Sequence, residues 1–196
     1  MISIGVDYSI TSPAATAFDD QTGEIHFFAY RQKKRQASTD PRLTLLELPA
    51  YASEEQRHAT LASTLLESIL GRFKAIDEAF LENYAYAGSG QVFNIAEATG
   101  CFKQMLYARK IPIQVFQPTA VKKIATGKGN ATKGGMYSSY EQIFPGIFDW
   151  IGEPFKSLEK IPSPISDIID SYWVLQTGLR LKVSGGVATL VSDLPK

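Results

Sequence analysis

The apolar positions of this chain fall into two rhythms, and their succession predicts its elements. Residues 2–7 (Ile2-Ser3-Ile4-Gly5-Val6-Asp7) are a short apolar run, Pro13 to Phe18 alternate small and apolar residues, and Glu24 to Tyr30 are rich in aromatics. Each reads as a strand, with Asp19-Asp20-Gln21-Thr22-Gly23 as the turn between the second and third. Residues 31–52, with Ser38-Thr39-Asp40-Pro41 and Pro49, read as a long irregular excursion, a feature that is often functional. A helix starts at Ser53, with Gln56 as its capping-box partner, and runs to about Phe73. Ala79 to Glu82 form a fourth strand, and Asn83 to Gly90 a loop rich in tyrosine and glycine. Residues 91–110 are an amphipathic helix with Phe93, Ala96, Gly100, Met105 and Leu106 as expected buried positions.

Ile111 to Phe116 give a fifth strand, and Pro118 opens a short helix through Ile124. Asn130 is the expected cap of the next helix, which reaches about Ile143. Residues 144–163 form a second excursion bearing Pro and Gly. Ser163-Pro164 start the last long helix, with Pro at its first position, ending near Lys182. The tail, 184–196, is polar, Gly-rich and peripheral to this plan. Three consecutive strands, then helix, strand, helix, strand and helix, predict an α/β fold: one domain over 1–183, with a mixed five-stranded sheet and helices on both faces.

Composition narrows the class. A chain of 196 residues with 44% hydrophobic and 11% aromatic residues can bury a core without disulfides. A single cysteine, Cys101, excludes an internal disulfide and a cysteine-rich zinc site, and reads as helix packing. With no apolar stretch of membrane-spanning length and a strand at the N-terminus, a cytoplasmic protein is expected. The formal net charge is zero, but its distribution is uneven. Between Glu97 and Glu141 there is no acid, while Lys103, Arg109, Lys110, Lys122, Lys123, Lys128 and Lys133 all fall there. A second basic run, Arg31-Gln32-Lys33-Lys34-Arg35, follows the third strand. A neutral total can therefore hide a basic face suited to nucleic acid.

Four acids stand out by position. Asp7 ends the first strand and Glu82 the fourth, while Asp167 and Asp170 lie one turn apart near the start of the last helix, on one face. Each has a plain alternative: a turn cap for Asp7, a strand-end ion pair for Glu82, helix-dipole complementarity for Asp167 and Asp170. An acid terminating a buried apolar strand is costly unless paired or metal-bound. Together the four make a pocket of hard oxygen ligands suited to Mg²⁺. His26, within an aromatic strand, reads as structural.

The order strand-Asp7, strand-Glu82, helix-Asp167/Asp170 resembles the catalytic order of RuvC-type Holliday-junction resolvases, in the divergent branch found in bacteriophages, within the ribonuclease H-like superfamily. Pro118-Thr119-Ala120-Val121-Lys122-Lys123, leading through a Gly loop to Ala131-Thr132-Lys133, resembles that family's lysine stretch. Lys122 and Lys133 keep its eleven-residue spacing. The resemblance covers about residues 1–183. It implies a ribonuclease H-like fold and a Mg²⁺-dependent endonuclease, with Mn²⁺ able to substitute, that resolves four-way junctions and other branched DNA in the cytoplasm of its host. Two ions would act on the scissile phosphate, Asp7 bridging them and Glu82, Asp167 and Asp170 completing their shells, to leave 5′-phosphate and 3′-hydroxyl ends. It further implies that Lys133 or Lys122 stabilises charge on the phosphate, with Lys122, Lys123, Lys128 and Lys133 among the DNA contacts.

The basic run Lys33, Lys34 and Arg35 joins these expected contacts. The family's stacking aromatic falls here at Ala85, so Tyr84 or Tyr86 would supply the wedge. Symmetric resolution implies a homodimer, with the 91–110 helix as the expected interface. Three rivals compete with this reading. The first is a nuclease of the same superfamily that acts on flaps, RNA/DNA hybrids or RNA. The second is an actin-like ATPase or sugar kinase, whose first phosphate loop Gly5 to Thr11 loosely resembles; that fold needs a second copy of the domain, so no nucleotide cofactor is expected. The third, a non-catalytic DNA-binding module, conflicts with four acids that would repel phosphate without metal.

Overall fold

The computed structural model describes residues 1–34, 36–83 and 92–181, and the backbone of Val183–Ser184 and Val187–Ala188. Its centre is a six-stranded sheet of β1 (Ile2–Asp7), β2 (Ala14–Asp19), β3 (Ile25–Tyr30), β4 (Leu43–Leu46), β5 (Glu78–Glu82) and β6 (Ile113–Phe116), in the order β4-β3-β2-β1-β5-β6. β2 runs antiparallel to β1 and β3, and the pairs β1–β5, β5–β6 and β3–β4 are parallel. Every strand except β2 therefore points the same way, and five C-terminal ends share one edge.

The sixth strand corrects the expected five. Leu43-Thr44-Leu45-Leu46 lies inside the segment read as irregular, and pairs with Phe27–Tyr30. Four residues after Asp40-Pro41 are too few for a period to show. Their place is fixed by long-range bonds, Phe27 N–H to the Arg42 carbonyl (2.7 Å) and Arg31 N–H to that of Leu46 (2.8 Å).

Two helices cover one face. α1 (Glu54–Phe73) starts as expected: the Ser53 hydroxyl accepts from Gln56 N–H at 3.2 Å, and the Gln56 side chain accepts from Ala52 N–H at 2.7 Å. With α2 (Val92–Ala108) it buries Ile4, Val6, Ala15, Phe28 and Leu81. α2 departs from its expected phase. It carries two apolar stripes; Ala98, Thr99, Phe102 and Leu106 face inward, while Phe93 is 77% exposed and Gly100 lies open to solvent. Of the expected buried positions Leu106 is buried, and Ala96 and Met105 are half-buried.

The opposite face carries α3 (Pro118–Thr126), α4 (Lys133–Glu141), α5 (Ile147–Ile151) and α6 (Ile165–Arg180) over Ala14, Phe27, Ala29 and Phe80. Thr132, rather than Asn130, caps α4, its hydroxyl accepting from Gly135 N–H at 3.2 Å. α5 falls inside the second excursion and buries Ile147, Phe148, Trp150 and Ile151. Pro164 precedes α6 as its cap residue instead of occupying its first turn. α6 lies almost on the sheet. A Cβ on Gly5 would stand 2.2 Å from the Leu175 backbone nitrogen, and one on Gly178 would stand 2.2 Å from the Phe80 ring. These two glycines set how close the helix can come. Val183–Ser184 and Val187–Ala188 pair as a separate two-stranded ribbon. Among the described residues no helix is long and apolar enough to cross a membrane.

Candidate active site

β1 and β5 run parallel with Val6 opposite Leu81, so the next residues, Asp7 and Glu82, end side by side at the common edge. α6 descends from that edge along β1, because its Leu175 meets Gly5 further down the strand. Its first turns, carrying Asp167 and Asp170, are thereby held at the strand ends. Both carboxylates are buried, at 8% and 5% exposure, and Asp7 and Glu82 are half-buried.

Each α6 acid has local partners. The Asp167 carboxylate accepts from the Ser12 hydroxyl at 2.9 Å, from Ser163 at 3.0 Å and from Ser166 at 2.9 Å. Asp170 is ion-paired with the Lys133 ammonium, delivered by the first residue of α4. Among the described residues no side-chain hydrogen bond or ion pair of this kind holds Asp7. Burial pushes its carboxyl up to about 7, the Asp167 charge adds to the rise, Lys133 opposes it, and Glu82 raises it further. Glu82 is also raised, again by burial, with Lys133 and then Lys122 pulling it down. The four acids and both lysines of the spaced pair thus act on one small volume.

The donors are carboxylates and hydroxyls, the chemistry of a hard divalent cation rather than of zinc or copper. Among the described residues no three ligating side chains already close around a point where an ion could sit. The reason is visible in the partners: Asp167 is turned to three serines and Asp170 to Lys133. A cation would replace that ammonium and answer the unrelieved charge at Asp7, so the residues fit the group.

The other expected contacts are placed less centrally. Lys123 is exposed on α3, and Lys128 is exposed in the loop after it. Lys34 is exposed at the end of β3, on the same edge as the acids. Lys33 is engaged, its ammonium bonding the Glu153 carboxylate at 2.9 and 3.0 Å. Arg35, Tyr84 and Tyr86 lie outside the described residues.

The serine cradle around Asp167 was not read from the sequence, although Ser163 and Ser166 flank the helix start where hydroxyls often bond locally. Also unread was a cleft of about 510 Å³ beside Asp7, walled by Tyr8, Ser9, Thr11, Arg57 and Asn94 among others. Arg57 and Asn94 come from helices distant in sequence, so no local pattern announces them.

No protein-family model and no curated protein matches the sequence. Solved structures do match. The Thermus thermophilus RuvC structure superposes with a TM-score of 0.58 at 17% identity, covering 93% of this chain and 97% of that one. T. thermophilus RuvC in complex with Holliday junction substrate gives 0.61 at 16% identity, covering 97% and 99%. The described residues therefore have the α/β fold of the RuvC structures.

Proposed function

We propose that this protein is a divalent-metal-dependent endodeoxyribonuclease that resolves four-way and other branched DNA junctions. The observation that carries the reading is the convergence of Asp7, Glu82, Asp167 and Asp170 with Lys133 at one sheet edge. It is supported by likeness to a structure whose bound substrate is a Holliday junction.

In this reading Asp7, Glu82, Asp167 and Asp170 would hold Mg²⁺ or Mn²⁺. When bound, the metal supplies an activated water and neutralises charge on the phosphoryl group. The chain's own residues do the rest. The serine hydroxyls hold Asp167 in one orientation, as outer partners of metal ligands do. Lys133, released from Asp170, presents a compact cation to the phosphate where negative charge develops. Lys122, Lys123, Lys128 and the Lys34 end of β3 contact backbone phosphates on the same side of the sheet. Residues 1–183 form the nuclease unit. Two copies meet through α2, whose outer stripe leaves Phe93 77% and Tyr107 76% exposed, with Gly100 between them. An isologous pair of such stripes would cover both aromatics and set two sites on opposing strands.

The test is cleavage of a synthetic four-way junction with Mg²⁺ by wild type beside Asp7→Asn, with flap, RNA/DNA hybrid and linear duplex substrates alongside. Junction cleavage by wild type alone, lost in EDTA, is expected. Preference for hybrid or flap would reassign the substrate, and full activity in EDTA would end the metal mechanism.

A further inference from the structure

The part of the second excursion that follows α5, residues 153–163, crosses the site edge and is pinned at three points. At its start Glu153, 6% exposed, accepts from Lys33 Nζ and, at 2.9 Å, from Gln36 Nε2. In its middle the Leu158 carbonyl rests on α4, where a Cβ on Gly134 would stand 2.5 Å from that oxygen. At its end Ser163 donates to Asp167. The segment 153–163 therefore runs as a strap from the basic end of β3, past Lys133, to the acids of α6.

Between the pins the strap faces solvent with an unusual set of residues. Phe155 is 52% exposed although its ring is stacked on Tyr137 (centroids 5.9 Å apart, planes at 25°) and meets Phe148 edge-on at 5.2 Å. Leu158 is 45% exposed, and Lys156 and Lys160 are exposed beside them. The strap and the start of α4 share a cavity of about 550 Å³ that includes Thr132, Lys133 and Leu158. Scattered exposed apolar residues are ordinary. An aromatic fixed from behind by a second ring, followed on the exposed strap by Lys156 and Lys160 with Glu159 as the one acid between them, and carried on a segment that shares a cavity with Lys133, has the make-up of a stacking platform for nucleic acid.

We propose that residues 153–163 are a DNA-contacting strap, in which Phe155 stacks on an unpaired base at the branch point and Lys156 and Lys160 contact the phosphates beside it. This rests on the branched-DNA reading above and adds a base-contacting element distinct from the expected wedge at Tyr84 or Tyr86. A protein partner is the outcome the test would reveal by default, because the strap's lysines would then leave DNA binding unchanged.

The experiment places 2-aminopurine at each crossover base of a fixed four-way junction and follows binding with Ca²⁺ in place of Mg²⁺. Wild type should change the fluorescence at one crossover position. Phe155→Ala should lose that change and bind about tenfold more weakly, within the range for one lost base–aromatic stack. Phe155→Trp should keep both. Lys156→Ala/Lys160→Ala, at exposed positions that leave folding intact, should lower the slope of log K against log[salt] by about 1.8 for two duplex phosphate contacts. Melting temperatures check that Phe155→Ala is folded. Unchanged fluorescence and slope, with wild-type junction binding intact, overturn the strap alone. Junction binding without cleavage once Mg²⁺ replaces Ca²⁺ overturns the proposed nuclease but leaves the strap measurable. Wild type that binds duplex and junction equally overturns both.

Discussion

The two faces of the sheet are built for different ends. Beneath α1 and α2 the core is mostly aliphatic, with Leu61, Leu65, Leu66 and Ile69 packed on Ile4, Val6 and Leu81. Beneath α6 it is aromatic and partly polar, with Phe27, Tyr140, Tyr172 and Trp173 beside buried Ser171, Gln176 and Thr177. The first face holds the sheet. The second brings a helix close enough for its first turns to share an edge with two strand ends. Several of its polar groups bond one another, as where Thr16 and Ser171 hydroxyls meet at 2.8 Å and the Thr177 hydroxyl donates to the Trp173 carbonyl at 2.7 Å. The difference shows that the acids depend on the placement of α6, and that placement depends on two glycines.

The largest expected effect lies in the catalytic set. Lys133→Ala should slow single-turnover junction cleavage at saturating enzyme by about 2.7–4 kcal/mol, the loss typical of a group that stabilises charge in the transition state. Because Lys133 pulls both Asp7 and Glu82 down, its removal should also move the acidic limb of the pH–rate profile to higher pH. A wild-type rate would take Lys133 out of the chemistry.

Breaking the faces separately comes next. Leu65→Ala, wholly in the aliphatic core, should cost about 2–5 kcal/mol of stability and leave the rate per folded molecule unchanged. Gly5→Ala should cost about 3 kcal/mol, since its Cβ would meet backbone that cannot swing aside, and it should slow cleavage as well by lifting α6. Denaturant melts paired with active-site titration separate the two. Equal rates per folded molecule in both variants would show that the acids do not need that close approach.

These variants also mark what could be read from the sequence. The strands ending in Asp7 and Glu82 were legible because an acid after an apolar run is unusual, and the lysine pair because its spacing resembles a known stretch. β4 was hidden because four residues carry no period. α5 was hidden because Gly146 and Gly152 bound it so tightly that it reads as loop. The phase of α2 was misread because two apolar stripes compete, and only contact with the rest of the fold chooses between them. The Ser12–Asp167 bond joins residues 155 apart in sequence, a pairing that no local pattern encodes.

The unrelieved charge on Asp7 predicts an inverse dependence of stability on pH. Its folded carboxyl titrates near 7 against an ordinary 3.8, so the folded state binds that proton more tightly than the unfolded state does. Stability of the metal-free protein should therefore fall as pH rises from about 4 to about 7 and level off above, as the linkage relation requires. Asp7→Asn should flatten this decline and melt higher than wild type at neutral pH without metal. Mg²⁺ should raise the wild-type melting temperature by mass action and leave that of Asp7→Asn nearly unmoved. A metal-free Asp7→Asn that melts below wild type at neutral pH would mean that the Asp7 charge is already compensated.

The smallest expected effect separates two neighbouring lysines. Lys122 is half-buried and close enough to Glu82 to lower its carboxyl, while Lys123, the next residue of α3, is exposed. About 100° of helical turn divides their directions. If both touch backbone phosphates, each alanine variant should lower the salt slope of junction binding by about 0.9. Of the two, Lys122→Ala alone should also shift the acidic limb of the pH–rate profile upward, because Lys122 and not Lys123 acts on Glu82. A salt titration of binding and a pH–rate series on the same two proteins decide the matter. A Lys122→Ala variant with unchanged slope would make this lysine a structural neighbour of Glu82, and would leave the face above α3 to Lys123 and Lys128.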